Sequence, residues 1–419
     1  MAIDPEKYAT LRDLLFDAID FAPTSDDRKE QVVDVLFEYV IADLEPLIDE
    51  SRPPRLYIFG RSGAGKSSLI NALANRHVAD VGAVEPETVE SEKYHVQFPD
   101  RYANWDVVDS RGLFESVPAS GEVPDWTVEK LAQDLEQYRP DVAVHVMTPG
   151  QVRAGEQDFE AVGDLSDRLP GGLPPLVYCL NKVDSHVAPG GDWPPETNDA
   201  LASDIVDNLD FVAGLLDEGT RTPFDQSAPV RGYRFDSEQH IGVFPTYVRE
   251  EPYWNVETLA ELIGEHLPEE AVLQFAQAQR RESVMRSMAR KQTRRLSAAA
   301  GTIAGLDVSG VSDIMVLTPL QVLLVMLVGS FSCEELSVAT AKDYFTQLGV
   351  VGSAGLGARK VAGTLTGMFP GAGQAINAGV ASVTTYTIGR SAETYFFTDE
   401  FVRPNEYLTE ARRLFGDPS

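Results

Sequence analysis

The sequence predicts an α/β fold with a doubly wound, mostly parallel sheet, set between an N-terminal helical arm and a C-terminal all-α domain. Three observations carry this. Short apolar strand candidates alternate with helical patterns through the middle of the chain. A glycine-rich loop joins the first of these strands to a helix. After residue 268 the strand candidates stop, and the rest reads as helices and Gly/Ala-rich runs. At 419 residues the chain exceeds one ordinary domain. The expected segments are a helical arm at 1–52, an α/β domain at 53–268 and a helical domain at 269–419.

The arm reads as two helices split near "APTSDD". Leu11, Leu14, Leu15, Ala18 and Ile19 recur at helical spacing, as do Val32, Val33, Leu36, Phe37 and Val40. Pro53-Pro54 closes the arm. The strand candidates follow in order: "RLYIFG", "KYHVQF", "WDVVD", "DVAVHVM", "PLVYCLNK" and "IGVFPTY". Residues 185–240 form a longer insertion with one helix expected near 197–218. A basic linker helix is expected over 269–300, containing "RRESVMRSMARKQTRR", the one strongly basic stretch of the chain. Then come the apolar run 314–331 and a Gly/Ala-rich tract, 349–392. No Asp or Glu occurs between Tyr344 and Ser391. Burial and membrane contact both account for that gap, because unpaired carboxylates are costly in either.

Charge narrows the partners. The chain carries 35 basic and 65 acidic residues, a net −30. Such a surface repels nucleic acid and anionic headgroups on average, so a polyanion partner needs the local basic stretch. Few lysines beside a large carboxylate excess point to a high-salt, halophilic cytoplasm, where screening moderates self-repulsion. There are two cysteines, Cys179 and Cys333. The start "MAIDPEKYATLRD" lacks a basic segment before an apolar core. The expected setting is a reducing cytoplasm with both cysteines as small core residues, and the inner face of the cell membrane as an open alternative.

The chemistry sits in three motifs. Gly60-Arg61-Ser62-Gly63-Ala64-Gly65-Lys66-Ser67, followed by Ser68, matches G-x-x-x-x-G-K-[ST] between a strand and a helix. Glycines let the backbone wrap phosphates, and amides at a helix N-terminus favour negative charge. Lys66 is expected at the β/γ-phosphates and the Ser67 hydroxyl on Mg2+. The second motif is Asn181-Lys182-Val183-Asp184 at a strand end. A carboxylate at Asp184 accepts both the N1 and exocyclic amino hydrogens of guanine, a pair adenine lacks. Asn181 is expected to brace the phosphate loop, with the Lys182 stem over the ring. The third motif, Asp109-Ser110-Arg111-Gly112, is D-x-x-G. Asp109 is expected to hold Mg2+ through water, and the Gly112 amide to contact the γ-phosphate.

With these motifs in order, residues 55–268 resemble a P-loop GTPase of the translation-factor-related class, closest to Era-like GTPases. The resemblance implies GTP and GDP as ligands, Mg2+ as cofactor and GTP hydrolysis, with a non-enzymatic scaffold stabilised by the guanine nucleotide as the alternative. It places the switch threonine at Thr88 in "VGAVEPETVESEKYHV", closing over Mg2+ and the γ-phosphate. Lys66, Thr88 and Gly112 are then the expected catalytic set. Three departures matter. Leu113 stands where Ras-like members carry a glutamine, which implies slow hydrolysis assisted by a homodimer or an activating partner. Gly63 stands where potassium-activated relatives carry asparagine. The last guanine motif is not intact, and the strand ends near Thr246 and Tyr247 instead. Arg61, Arg111 and Arg153 are candidate transition-state cations, with an exposed or ion-paired role as the alternative. Residues 300–397 resemble the YcjF-type C-terminal domain of some Era-like GTPases, which has no assigned chemistry. A compact bundle, a peripheral membrane contact through 270–392 and an RNA or ribosome contact remain open for it. The overall charge argues against nucleic acid. The basic helix has one more candidate partner in the acidic arm.

Overall fold

The computed structural model describes residues 11–19, 26–36, 39–40, 42–77, 91–98, 103–110, 124–152, 156–187, 191–216, 220–279, 281–304, 313–348 and 378–416. It divides into two compact units. One comprises Arg52–Phe98 and Ala103–Arg281, the other Met1–Ser51, Pro99–Tyr102 and Glu282–Ser419.

The first unit is an eight-stranded sheet with the order β2-β3-β1-β4-β5-β8-β7-β6. Its strands are β1 (Arg55–Phe59), β2 (Glu92–Phe98), β3 (Ala103–Asp109), β4 (Val142–Met147), β5 (Leu176–Asn181), β6 (Arg221–Pro223), β7 (Tyr233–Phe235) and β8 (His240–Thr246). β1 runs parallel to β3 and β4, β4 to β5, and β5 to β8. The central strands β4 and β5 are buried at every position, as covered parallel strands must be. Edge strand β2 pairs antiparallel with β3 and alternates. Val96 and Phe98 face in, whereas Lys93, His95 and Gln97 are exposed. Strand order reverses at β1, with β3 on one side and β4 on the other. Crevices at such reversals, beyond the carboxyl ends of the strands, are where doubly wound folds bind ligands.

Between these strands lie α4 (Lys66–Ala74), α5 (Asp125–Tyr138), α6 (Pro149–Val152), α7 (Glu156–Arg168), α8 (Asp199–Leu215), α9 (Val256–His266) and α10 (Glu269–Ala278). One core cluster gathers Val128 and Leu131 of α5, Val162 and Leu165 of α7, and Ile205 and Leu209 of α8 over Tyr57 and Tyr178 of the sheet. The six strand candidates are all present. The insertion holds more than its one expected helix. It also contributes the three-residue strands β6 and β7, which extend the sheet antiparallel beyond β8.

The expected linker helix 269–300 is two helices. α10 stays on the sheet, where Phe275 stacks on Trp105 at 5.2 Å and the Asn104 amide donates to Gln274. Backbone at Gln279 is extended, and the Arg281 guanidinium donates to the carbonyls of Ala72 and Leu73 at the end of α4. Capping α4 takes the chain out of the helix before α11 (Glu282–Ala304) begins.

The second unit is helical: α1 (Leu11–Ile19), α2 (Asp26–Leu36), α3 (Ala42–Ile48), α11, α12 (Asp313–Phe331), α13 (Val338–Gln347), α14 (Ala378–Thr398) and α15 (Leu408–Phe415). The arm therefore has a third helix, α3, which carries Pro46 inside it. α12 is apolar on all sides, and its residues from Val316 to Phe331 are buried. Covering it takes α1 and α2 as well as α11, α13 and α14. This is why the arm and the C-terminal helices form one unit rather than two. Among the described residues no helix is long and apolar enough to cross a membrane.

The acid-free tract ends against Glu393 of α14, which is 2% exposed. Arg290 grips it at 2.8 and 3.0 Å, and Arg286 and Arg390 pair with it too. Two arginines of the basic helix are thus engaged inside their own unit. α11 and α14 approach closely because Gly389 has no side chain, since a Cβ there would lie 2.5 Å from Thr293. Both cysteines are free thiols. Cys179 is buried as expected, whereas Cys333 sits partly exposed in a turn after α12, at φ 74°.

Candidate nucleotide site

The glycine loop leaves β1 at the reversal of strand order. Gly60 adopts φ +146°, and a Cβ on it would fall 2.0 Å from the Val146 carbonyl oxygen of β4. No other residue fits there. Gly65 adopts φ +94°, and a Cβ would fall 2.4 Å from Asn181 Nδ2. α4 starts at Lys66 with no side-chain cap and no acidic residue in its first turn. Its leading amides and dipole are therefore arranged for an anion.

Segments distant in sequence close on this loop. Asn181 Nδ2 donates to Ala64 O at 2.9 Å, and Lys182 Nζ donates to Gly63 O at 2.6 Å. Asn181 is itself oriented by Thr246, whose hydroxyl donates to Asn181 Oδ1 at 3.3 Å and contacts Cys179 Sγ at 3.2 Å. Sheet register pairs Asn181 with Thr246, so the ends of β5 and β8 supply one bracket. Gln151 Nε2 donates to Ser62 O at 3.3 Å from α6.

The Lys66 end of the loop is equally constrained. Lys66 is 7% exposed, and its ammonium donates to Gly60 O at 3.0 Å. Ser67 Oγ donates to Asp109 Oδ2 at 3.0 Å. Asp109 is buried at the tip of β3, in register with Ile58 of β1. A hydroxyl and a carboxylate oxygen side by side fit Mg2+, a hard cation that uses one or two protein groups and completes its shell with phosphates and water. Among the described residues no group of three His, Cys, Asp or Glu forms a metal cage. Ser62 and Gly63 are exposed at the loop's outer bend, and Ser68 follows in the first turn of α4. Asp184 is half-buried in the 3-10 turn Val183–His186, entered through Lys182 at φ 63°. Thr88, Arg111, Gly112, Leu113 and Arg153 lie outside the described residues.

Three features show their partners only in the structure. Arg61 is buried and bidentate to Asp158 of α7, at 2.7 and 2.9 Å. Its charge is committed to that carboxylate, so the ion-paired alternative holds and a transition-state role does not. His145 of β4 stacks on Phe59 at 4.7 Å beneath the loop. Burial, with Arg61 and Lys66 nearby, pushes its imidazole down to about 4, so it is neutral at neutral pH. Finally, Trp193 and Tyr247 stand next to each other at the Asp184 end.

Residues 55–182 match the family model described as "50S ribosome-binding GTPase". That match supports GTP binding. Solved structures give a looser likeness. A dimerisation-deficient variant of Toc33 from Arabidopsis thaliana aligns at 15% identity over 64% of this chain and 98% of its own, with a TM-score of 0.35. The same protein in complex with Mg2+ and GMPPNP aligns at 14% identity over 60% and 96%, with a TM-score of 0.35. Era bound to MgGDPNP and a segment of 16S ribosomal RNA aligns at 17% identity over 60% and 68%, with a TM-score of 0.34.

Proposed function

We propose that the chain is a guanine-nucleotide switch that binds GTP and GDP with Mg2+ and hydrolyses GTP slowly. One observation carries this reading. Two distant segments, at Asp109 and at Asn181–Lys182, converge by hydrogen bonds on the Gly60–Ser67 loop where the strand order reverses.

In this reading Gly60, Ser62, Gly63, Ala64, Gly65 and Ser68 wrap the phosphates with backbone amides. Lys66 balances β/γ-phosphate charge from within the loop. Ser67, Asp109 and Thr88 hold Mg2+, which when bound neutralises charge on the phosphate oxygens. Asp184 reads the guanine edge while Asn181 and Lys182 keep base and phosphate subsites in register. Gly112 reports the γ-phosphate, and the helical unit carries the output. Leu113 cannot orient a water by hydrogen bonding, so turnover is expected to be slow alone and faster with self-association or a partner.

Labelled GDP should bind and resist competition by ATP. Equal competition by ATP would sink the guanine assignment. Asp184→Asn should move preference from guanine toward xanthine nucleotides, and Lys66→Ala should abolish triphosphate binding. A single-turnover GTP assay separates slow hydrolysis from mere retention. Specific activity that stays flat over a hundredfold dilution would remove the self-association clause.

A further inference from the structure

We propose that Tyr247, backed by Trp193, is the wall on which the nucleotide's purine ring rests, beside the Asp184 carboxylate. This deepens the guanine-nucleotide reading and rests on it.

The placement follows from the end of β8. Thr246 is the register partner of Asn181 and hydrogen-bonds its side chain, so the next residue is fixed beside the base-side bracket. The Tyr247 backbone is pinned by two bonds with Trp254, at 3.2 and 2.9 Å. Its ring lies 5.1 Å from Trp193, which lies 5.8 Å from Trp254. Trp254 is buried, and its indole N–H donates to the Glu196 carboxylate at 3.2 Å. Glu196 also holds Arg231, whose guanidinium stands 5.1 Å over the Trp254 ring. The stack is therefore anchored at its buried end, while Tyr247 and Trp193 keep partly exposed faces. Burial, with the Glu250 and Asp184 carboxylates after it, raises the Tyr247 phenol above its ordinary value.

A ring held this firmly gives up little freedom on stacking. Every purine presents a π-face, so stacking adds affinity without choosing the base. Asp184 would sort guanine from adenine by the edge, and Tyr247 would hold either by the face. The aromatic pair comes from the insertion and from the residue after β8, where the sequence lacks the usual last guanine motif.

The experiment is equilibrium binding of GDP and ADP to the full chain. Tyr247→Ala should weaken GDP about tenfold, the scale of one base–aromatic stack, with the GDP-to-ADP ratio unchanged. Tyr247→Phe, which keeps the ring, should restore most of the loss. In Tyr247→Trp the new indole's emission should be quenched as GDP saturates. No GDP binding by the unmodified chain overturns the guanine reading itself. GDP binding equal in Tyr247→Ala and the unmodified chain overturns the wall alone. So does failure of Tyr247→Phe to recover affinity, which would assign the effect to the hydroxyl. If Tyr247→Ala does not fold, the Tyr247→Trp emission decides, and an unquenched signal at saturation overturns the wall.

Discussion

Arg61 and Asp158 are 5% and 6% exposed at their side chains and bonded two-over-two. Removing one partner strands a buried charge, so Arg61→Ala should cost about 3–5 kcal/mol, read by urea unfolding of the sheet unit. Asp158→Ala should cost a similar amount, and the double variant less than the sum. If Arg61→Ala slowed hydrolysis and left stability intact, a transition-state role would return. His145 is a second residue with a measurable signature. Its pKa falls from 6.5 to about 4 on folding, so the unfolded chain binds more protons between those values. The stabilisation is complete above pH 6.5 and is lost as pH falls toward 4. His145→Phe should therefore gain about 2 kcal/mol relative to the unmodified chain between pH 7 and pH 5. A constant difference across that range would mean His145 does not titrate on unfolding. These two residues also mark what one sequence conceals. Gly60, Lys66 and Asn181 were legible as a group because they stand in short sequence motifs, and the fold brings those motifs together. Asp158 was not, because it meets Arg61 at a separation of 97 residues and nothing local marks the pair.

At the scale of elements, apolar strands were legible because burial on both faces writes an unbroken hydrophobic run, as in "VAVHVM". β6 and β7 escaped because each has three residues and β6 carries Arg221 and Pro223, so neither forms such a run. α3 escaped because Pro46 and its acidic neighbours break the helical pattern that packing still enforces. The break between α10 and α11 is tertiary in origin. Its cause, Arg281 reaching the end of α4, is invisible to periodicity. Close helix packing gives an element-scale test. Gly389→Ala places a methyl 2.5 Å from Thr293 Cγ2, so α11 and α14 must part or their side chains shift. Overpacking of this kind typically costs about 1–3 kcal/mol, and it should lower the melting point of the helical unit. Thr293→Ser in the same chain removes the opposing methyl and should recover part of the loss. No recovery would place the strain elsewhere.

The whole molecule carries −30, and that charge sets its dependence on salt. Repulsion among exposed carboxylates opposes compact states and is screened over about 10 Å at 0.1 M salt and about 3 Å at 1 M. Buried pairs such as Arg61–Asp158 are screened far less, so salt removes the repulsion and leaves their attraction nearly intact. Both compact units should thus melt higher as KCl rises. Because the chain holds two units, unfolding should be followed by calorimetry for two transitions, not fitted to one. The shape of the response identifies its cause. Screening saturates as the Debye length shrinks below the charge spacing, so most of the gain should appear below about 0.5 M. Exclusion of salt from the surface would instead raise stability steadily toward molar concentrations. A steady rise would assign the gain to surface exclusion, and no rise at all would remove the case for a high-salt cytoplasm as this protein's setting. Nucleotide binding responds differently, because the phosphate loop is locally basic at Lys66 inside an acidic protein. Screening lowers the long-range repulsion of an incoming polyanion, so association of GDP should quicken with salt while its dissociation stays nearly constant. Stopped-flow rates at 0.1 and 1 M KCl test this directly, and an association rate that falls with salt would mean the local field of the loop outweighs the charge of the whole chain.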